Sequence, residues 1–296
     1  MLGASIHRYL GTYNFQVVAP SRDELDIRDQ KATFKFLKSN EIDTIIHCAA
    51  KVGGIAANVS QPADFILNNL QIDTSLMSAA RDLRIGNLIY FGSSCMYPKN
   101  VTQPMNENQI LSGLLEPTNQ GYALAKIAGS EIAKTVSRQD KLDWKVLVLS
   151  NLYGPGDNFN AESSHLVAAI IAKIYQAKQD SLPEVEIWGS GNSRREFTFV
   201  DNVADFVVSN ISRVSSWPTL MNLGGGVDYS VNEYYRLVSE IIGYEGRFNH
   251  ALSKPDGMPK KLLDSSLAIK YGWNPKTDIK VGLLETIRYF EREVWN

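Results

Sequence analysis

Asn87-Leu88-Ile89-Tyr90-Phe91 is a short apolar run that leads directly into Gly92-Ser93-Ser94-Cys95. Such a run, ended by glycine and small polar residues, is typical of a buried strand. The strand would present two hydroxyls and a thiol at its carboxyl end, which is where ligands bind in open α/β sheets. The stretch therefore predicts an open α/β sheet, with the chemistry at the carboxyl edge of its strands.

A second stretch, Tyr122-Ala123-Leu124-Ala125-Lys126, lies on a segment whose small and apolar residues predict a helix. The spacing places the Tyr122 phenol and the Lys126 ammonium on one face, one turn apart. An ammonium beside a phenol stabilises the phenolate, so we expect Lys126 to lower the pKa of Tyr122. The pair alone is not specific, because tyrosine and lysine occur at this spacing on many helices by chance.

Apolar runs alternate with helical segments through the first half of the chain. Strands are predicted at 15–19, 44–50, 87–91 and 145–150, and helices at 1–11, 29–39, 62–84, around Tyr122 and at 165–178. This alternation predicts right-handed βαβ crossovers and an α/β fold, a doubly wound parallel sheet covered on both faces.

The composition argues against several classes of protein. The 30 Lys and Arg residues nearly balance the 32 Asp and Glu residues, so there is no basic stripe for nucleic acid or an anionic membrane. No apolar run approaches the ~18–20 residues that cross a bilayer. Cys48 and Cys95 are too few for a disulfide framework, and neither has metal-ligand spacing around it. We expect a cytoplasmic protein without a metal.

A strand-end serine near a tyrosine–lysine helix suits nicotinamide chemistry. Reduction of a ketone places negative charge on the carbonyl oxygen, and the Ser93 hydroxyl and the Tyr122 phenol would be the donors to that oxygen. Lys126 would tune the phenol and hold the nicotinamide ribose. The alternative for Ser93 is a hydroxyl that caps the local backbone.

These residues, with the motifs around them, resemble the extended short-chain dehydrogenase/reductase family. The matching motifs are Ala49-Ala50-Lys51-Val52-Gly53-Gly54-Ile55, Gly92-Ser93-Ser94-Cys95-Met96-Tyr97-Pro98-Lys99, Glu116-Pro117-Thr118-Asn119, Asn151-Leu152-Tyr153-Gly154-Pro155, Trp188-Gly189-Ser190-Gly191, Arg195-Glu196-Phe197 and Ser253-Lys254-Pro255-Asp256-Gly257. The resemblance extends from Gly3 to near the carboxyl terminus. It implies a Rossmann domain at 1–156 with about 196–224, and a smaller mixed substrate domain at 157–195 with 225–296.

The resemblance implies an enzyme that epimerises GDP-4-keto-6-deoxy-mannose at C3 and C5 and then reduces C4 with NADPH. Tyr122, Lys126 and Ser93 would serve the reduction. Epimerisation needs a base on one face of the sugar and an acid on the other, and Cys95 and His165 would take those roles. The unperturbed pKa values of thiol and imidazole, about 8.5 and 6.5, bracket neutrality. Alternatively, Cys95 is a small buried apolar residue and His165 a helix-start residue bonded to backbone.

The resemblance also implies ligand contacts and a homodimer paired through two long helices. The NADP(H) contacts would be Gly3, Arg22, Ala49, Ala50, Phe91, Gly92, Ser93, Ser94, Lys126, Leu149, Ser150, Asn151, Leu152 and His165. The GDP-sugar contacts would be Lys173, Trp188, Arg195, Asp256 and Lys261. Arg22 stands where NADP-binding members place a cation for the 2′-phosphate, although it could instead begin a polar turn. At Lys173 the family often has arginine.

The sequence departs from the family at its amino terminus. Members begin with a strand and a glycine-rich loop that approaches the pyrophosphate, whereas here Gly3 matches only the last glycine. We expect unpaired inner sheet edges and weak NADPH binding by this chain. Either Met1 is an internal methionine of a longer protein, or the protein has kept catalytic residues without cofactor binding.

Two rival functions stay open. One is another sugar-nucleotide epimerase, reductase or dehydratase of the same family. Dehydratases usually have Thr-Asp-Glu where this chain has Ser93-Ser94-Cys95, which argues against that branch. The other is a pseudoenzyme or binding module without cofactor.

Overall fold

The computed structural model describes residues 1–160, 163–254 and 257–295. The helices are α1 (Leu2–Leu10), α2 (Gln30–Ser39), α3 (Ile55–Ser60), α4 (Pro62–Asp82), α5 (Gln120–Asp140), α6 (Leu166–Gln179), α7 (Val200–Ser209), α8 (Val231–Ile242), α9 (Ser266–Ile269) and α10 (Ile279–Phe290). The strands are β1 (Thr44–His47), β2 (Asn87–Ser93), β3 (Asp143–Leu149), β4 (Asn151–Tyr153), β5 (Glu184–Trp188), β6 (Arg194–Phe199), β7 (Leu220–Leu223), β8 (Asp228–Ser230), β9 (Arg247–Ala251) and β10 (Lys260–Lys261).

The main sheet contains parallel strands in the order β1-β2-β3-β7. Successive side chains of β2 point to opposite faces of the sheet. Leu88 and Tyr90 pack with residues of α4 and α5, whereas Ile89 and Phe91 pack with residues of α1 and α7. Because apolar side chains point to both faces, the strand reads as a continuous apolar run and is covered by helices on both sides. The predicted α/β parallel-sheet fold is confirmed.

The predicted strand at 15–19 is wrong. The segment lies outside any strand, and Phe15 is 45% exposed. A strand exists only where its backbone groups pair with a neighbour. Among the described residues β1 pairs with β2 alone, so its other edge is open, and the segment has no strand beside it. Residues 15–19 therefore have strand-like composition but no partner strand among the described residues.

The carboxyl-terminal part has its own core. β6 lies between β4 and β10 and pairs with β8, while β5 pairs with β9. Apolar residues of α6, α8 and α10 pack together beneath these strands. Trp273, although within 225–296, packs in the main-sheet core against Phe206 and donates to the Gly224 carbonyl at 2.8 Å. The division into two domains remains a prediction.

Two helices, α4 and α5, reach 21 residues each. Neither they nor any other helix within the described ranges is long and apolar enough to cross a membrane.

Candidate active site

Ser93 ends β2 and starts a tight 3-10 turn at Ser94–Met96. Its Oγ accepts a hydrogen bond from the Cys95 backbone N–H at 3.3 Å, and its own N–H points to the Met96 sulfur at 3.4 Å. The backbone cap that we weighed as an alternative is therefore present. It does not exclude a catalytic role, because a hydroxyl that accepts one hydrogen bond can still donate its own proton.

Tyr122 lies in the first turn of α5, where the helix meets the start of α4. A Cβ at Gly121 would lie 2.8 Å from the Pro62 carbonyl oxygen, so only a glycine permits this close approach. The Tyr122 ring packs edge-on against Phe65, with centroids 6.3 Å apart. Tyr122 also lines a cavity of about 320 Å³ together with Asn58 and residues at the start of both helices. Tyr122 is thus a half-buried residue at the wall of a cleft.

The pKa of Tyr122 is shifted opposite to our expectation. Burial raises it, and the nearby Cys95 and Asp73 raise it further. The physical reason for the difference is desolvation, which disfavours the charged form of a buried phenol. The Lys126 ammonium lies 4.6 Å from the centre of the Tyr90 ring, and burial likewise lowers the pKa of Lys126.

Cys95 and His165 come from distant parts of the chain. The backbone N–H of Gly54 donates to the Ser163 carbonyl at 3.0 Å, which ties the loop after β1 to the segment before α6. His165 is the residue at which α6 starts. Burial raises the pKa of the Cys95 thiol and lowers the pKa of the His165 imidazole. The charge of Lys261 lowers both values, so this ammonium lies within electrostatic reach of both groups.

Most of the predicted cofactor contacts lie at the carboxyl edge of the main sheet. Ala49 and Ala50 follow β1. Phe91, Gly92 and Ser93 end β2, and Ser94 follows it. Leu149 ends β3 and is followed by Ser150, Asn151 and Leu152. Gly3 lies in the first turn of α1, and a Cβ there would be 3.3 Å from the Cys48 Cβ. Two side chains are already engaged, since Ser150 Oγ bonds Thr198 Oγ1 at 2.6 Å and Asn151 donates to the Glu196 carbonyl at 3.1 Å.

Arg22 is not tied to this edge. It is exposed and follows the unpaired segment 15–19. Its charge acts on Asp26, whose pKa is lowered to about 2, chiefly by hydrogen bonds from Arg28. The structure therefore leaves Arg22 on the surface.

The predicted substrate residues lie on α6, β5, β6 and β10, and Asp256 falls outside the described residues. Trp188 is 60% exposed, and its indole donates to Glu186 at 3.1 Å. The Lys173 ammonium donates to the Glu186 carbonyl, which brings Lys173 beside the same strand. Arg195 donates to the Met258 carbonyl at 2.6 Å.

Lys261 is paired directly with Arg195 in the register of β10 and β6. Burial lowers the pKa of Lys261, and the Cys95 thiol opposes this effect. Lys261 therefore lies close to the predicted epimerisation residues Cys95 and His165 and to Arg195.

Sequence reasoning missed Asp73. It is buried in the middle of α4, on the face that also buries Phe65, Asn69, Met77 and Ala80. A carboxylate that interrupts an apolar stripe at helical spacing is the signal that would have found it. Within the described residues there is no group of three or more His, Cys, Asp and Glu side chains that could hold a metal ion.

Comparisons with known proteins agree with this geometry. The sequence profile described as "NAD dependent epimerase/dehydratase family" matches residues 1–224. GDP-L-colitose synthase of Yersinia pseudotuberculosis is 40% identical over 294 residues, which cover 99% of this chain and 96% of the relative. GDP-L-fucose synthase of Escherichia coli strain K12 is 38% identical over 299 residues, covering 98% and 93%. The solved GDP-mannoheptose C4 reductase of Campylobacter jejuni with NADP bound superposes with a TM-score of 0.88 at 29% identity, covering 98% of this chain and 95% of that chain.

Proposed function

This chain belongs to the NAD dependent epimerase/dehydratase family, and we propose that it converts GDP-4-keto-6-deoxy-mannose to GDP-L-fucose. The reaction would epimerise C3 and C5 and then reduce C4 with NADPH. The observation that carries this proposal is that Cys95, directly after the carboxyl end of β2, lies within electrostatic reach of Tyr122, Lys126 and Lys261. Ser93 joins them through its bond to the Cys95 backbone.

One pocket suits both halves of the reaction. Hydrogens on carbons beside a ketone are acidic because the carbanion delocalises into an enolate. Donors placed for the oxygen of the reduction, Ser93 and Tyr122, would therefore also stabilise the enolate of each epimerisation. Burial favours a neutral Cys95 thiol and a neutral His165 imidazole. A neutral thiol can give a proton and a neutral imidazole can take one, which is what inversion at carbon requires.

The residues present fit the nicotinamide end of NADPH better than its adenosine end. A buried cation, Lys126, lies beside a parallel-sheet edge where Ala49, Ala50 and Gly92 would border the ring and its ribose. When bound, NADPH supplies the hydride. Tyr122 would donate a proton to the C4 oxygen, and Lys126 would orient the ribose. At the adenosine end, Arg22 stands on exposed chain, so we expect that half of the cofactor to be held weakly.

The GDP moiety would lie along the carboxyl-terminal part. Lys173, Arg195 and Lys261 would offset the diphosphate charge, and Trp188 presents an exposed ring on which guanine would stack. Lys173 would act as a point charge rather than as a bidentate fork.

We propose a homodimer for the active protein, formed through α4 and α5, where Leu67 and Leu124 are exposed. We also place it in the cytoplasm, because Cys48 and Cys95 are both free thiols and thiols persist in reducing compartments.

The test is product analysis with GDP-4-keto-6-deoxy-mannose in deuterated water, with and without NADPH. Epimerisation incorporates deuterium at C3 and C5 and needs no hydride donor, whereas reduction consumes NADPH. Exchange without NADPH oxidation would mean that the pocket is right and cofactor binding is weak. Absence of exchange would overturn the proposal and favour a binding module. UDP-glucose as a parallel substrate tests for another epimerase of the family.

A second candidate product is GDP-L-colitose. The colitose synthase is 40% identical to this chain and the Escherichia coli fucose synthase 38%, so overall identity does not separate them. Chromatographic identification of the sugar nucleotide formed from each 4-keto substrate distinguishes the two.

A further inference from the structure

A buried polar cluster joins three elements beneath the candidate site. Asp73 of α4 is 1% exposed, and both of its carboxylate oxygens are engaged. Oδ1 lies 2.9 Å from His47 Nε2, and Oδ2 accepts from the Tyr90 hydroxyl at 2.7 Å. His47 and Tyr90 are buried as well. Because a carboxylate only accepts, His47 carries its hydrogen on Nε2.

Lys126 completes the cluster from the α5 side. Its side chain is 4% exposed, and its ammonium lies over the Tyr90 ring at 4.6 Å. One turn along α5, a Cβ at Gly129 would lie 2.3 Å from the Tyr90 hydroxyl and 2.5 Å from Asp73 Oδ2. The helix carrying Lys126 can therefore approach the Tyr90–Asp73 hydrogen bond only because position 129 is glycine.

We propose that Asp73 is a positioning residue for Lys126: through Tyr90 it holds the ammonium in place and keeps it protonated inside the domain. His47 fixes the carboxylate from the opposite side. This assignment goes beyond the residues that the proposed reaction itself requires.

The physical argument begins with desolvation. A buried ammonium without a counter-charge tends to lose its proton. Asp73 is the strongest of the charges that oppose this loss, ahead of the Cys95 and Cys48 thiols. Tyr90, which donates its proton to the carboxylate, keeps an electron-rich ring against the ammonium, and such a ring attracts a desolvated cation. Tyr122 lies one turn back on the same helix as Lys126.

Nuclear magnetic resonance titration of 13C-labelled lysine side chains tests the proposal on the whole chain without substrate. Lys126→Arg identifies the signal. In the wild type we expect Lys126 to remain protonated at neutral pH. Asp73→Asn should move its titration towards lower pH by about one unit, since an opposite charge close by has been removed. Asp82→Asn, at the exposed end of the same helix, should leave it unchanged.

Two results would overturn the proposal. One is a wild-type Lys126 that is already deprotonated below neutrality, which needs no variant. The other is a folded Asp73→Asn protein in which Lys126 titrates as in the wild type. If that variant does not fold, the wild-type measurement decides.

The catalytic consequence rests on the proposed function. In Asp73→Asn, NADPH oxidation should fall most steeply at alkaline pH, where Lys126 has lost its proton, while the Asp82→Asn profile stays as in the wild type. A wild-type protein that neither exchanges nor reduces the sugar, yet shows the expected lysine titration, would refute the function and leave the positioning role standing.

Discussion

The centre of the main sheet and residues 11–22, which we call the outer segment, differ in how they are held. At the centre, β2 is paired on both sides, and its Leu88, Ile89 and Tyr90 side chains are buried. In the outer segment, residues 15–19 have strand-like composition but no partner strand among the described residues, and they lie exposed. The proposed chemistry depends on side chains of the first region, whereas Arg22, the proposed contact for the 2′-phosphate, belongs to the second. We therefore expect catalysis and binding of the 2′-phosphate to respond separately to mutation.

The largest expected effect contrasts two tyrosines. Tyr122→Phe removes the proposed proton donor and should lower the rate of NADPH oxidation about 10³-fold, within the range typical of general acids. GDP-sugar affinity should stay within a few-fold, because only the transition state loses an interaction. Steady-state kinetics and calorimetric titration measure the two quantities.

Tyr13→Phe is the matched control, since Tyr13 lies exposed in the outer segment, residues 11–22, and stacks on Phe15. This substitution also removes a phenolic hydroxyl, and it should leave the rate of NADPH oxidation and the GDP-sugar affinity unchanged. Equal losses in the two variants would contradict the placement of the chemistry at the centre.

The second contrast concerns stability. The Leu88 side chain of β2 is fully buried against α4 and α5. Leu88→Ala should therefore lower the free energy of unfolding by about 3 kcal/mol. Val17→Ala, in the exposed segment, should change it by less than ~0.5 kcal/mol. Urea unfolding of both variants measures the difference. A loss at Val17 comparable to that at Leu88 would mean that the segment is packed in solution.

The same contrast explains how far the sequence predicts the structure. The apolar runs at 87–91 and 145–150 identify buried strands because their residues are apolar on both faces. The run at 15–19 is apolar too, but local composition does not report whether a partner strand lies beside it. Pairing is a tertiary property.

The candidate site shows the same limit: local sequence predicts the position of a residue in a strand or helix, but not its tertiary partners. Position at a strand end or in the first turn of a helix places Ser93 and Tyr122 correctly. Helical spacing, however, does not report how deeply a phenol is buried, so the expected lowering of the Tyr122 pKa by Lys126 was wrong. Asp73 was missed because its partners His47 and Tyr90 are 26 and 17 residues away along the chain.

A third prediction concerns the joint between the main sheet and the carboxyl-terminal part. Burial raises the pKa of Glu196 to about 7, although backbone N–H groups of Leu263 and Gly226 oppose the shift. Between its unfolded value and 7 the folded state binds more protons than the unfolded state, so the free energy of unfolding falls as pH rises through that window. We expect a fall of about 3 kcal/mol. Glu196→Gln should flatten the dependence in pH-resolved urea unfolding.

Burial raises the pKa of Asp157 to about 6, so Asp157 also makes the free energy of unfolding fall as pH rises. That contribution remains in the Glu196→Gln protein. An unchanged slope in that variant would mean that Glu196 is ionised in the folded state across this range.

The smallest expected effect lies in the outer segment. If Arg22 meets the 2′-phosphate, it does so as an exposed side chain on unpaired chain, where an ion pair contributes at most about 1 kcal/mol. Arg22→Ala should then raise the Kd for NADPH about fivefold at low salt, and the difference should shrink as salt screens the charges. NADH lacks the 2′-phosphate and is the internal control. If Arg22→Ala raised the Kd for NADPH far more than fivefold, the outer segment would have to become ordered around the cofactor. The bound cofactor would then couple this segment to the centre of the main sheet.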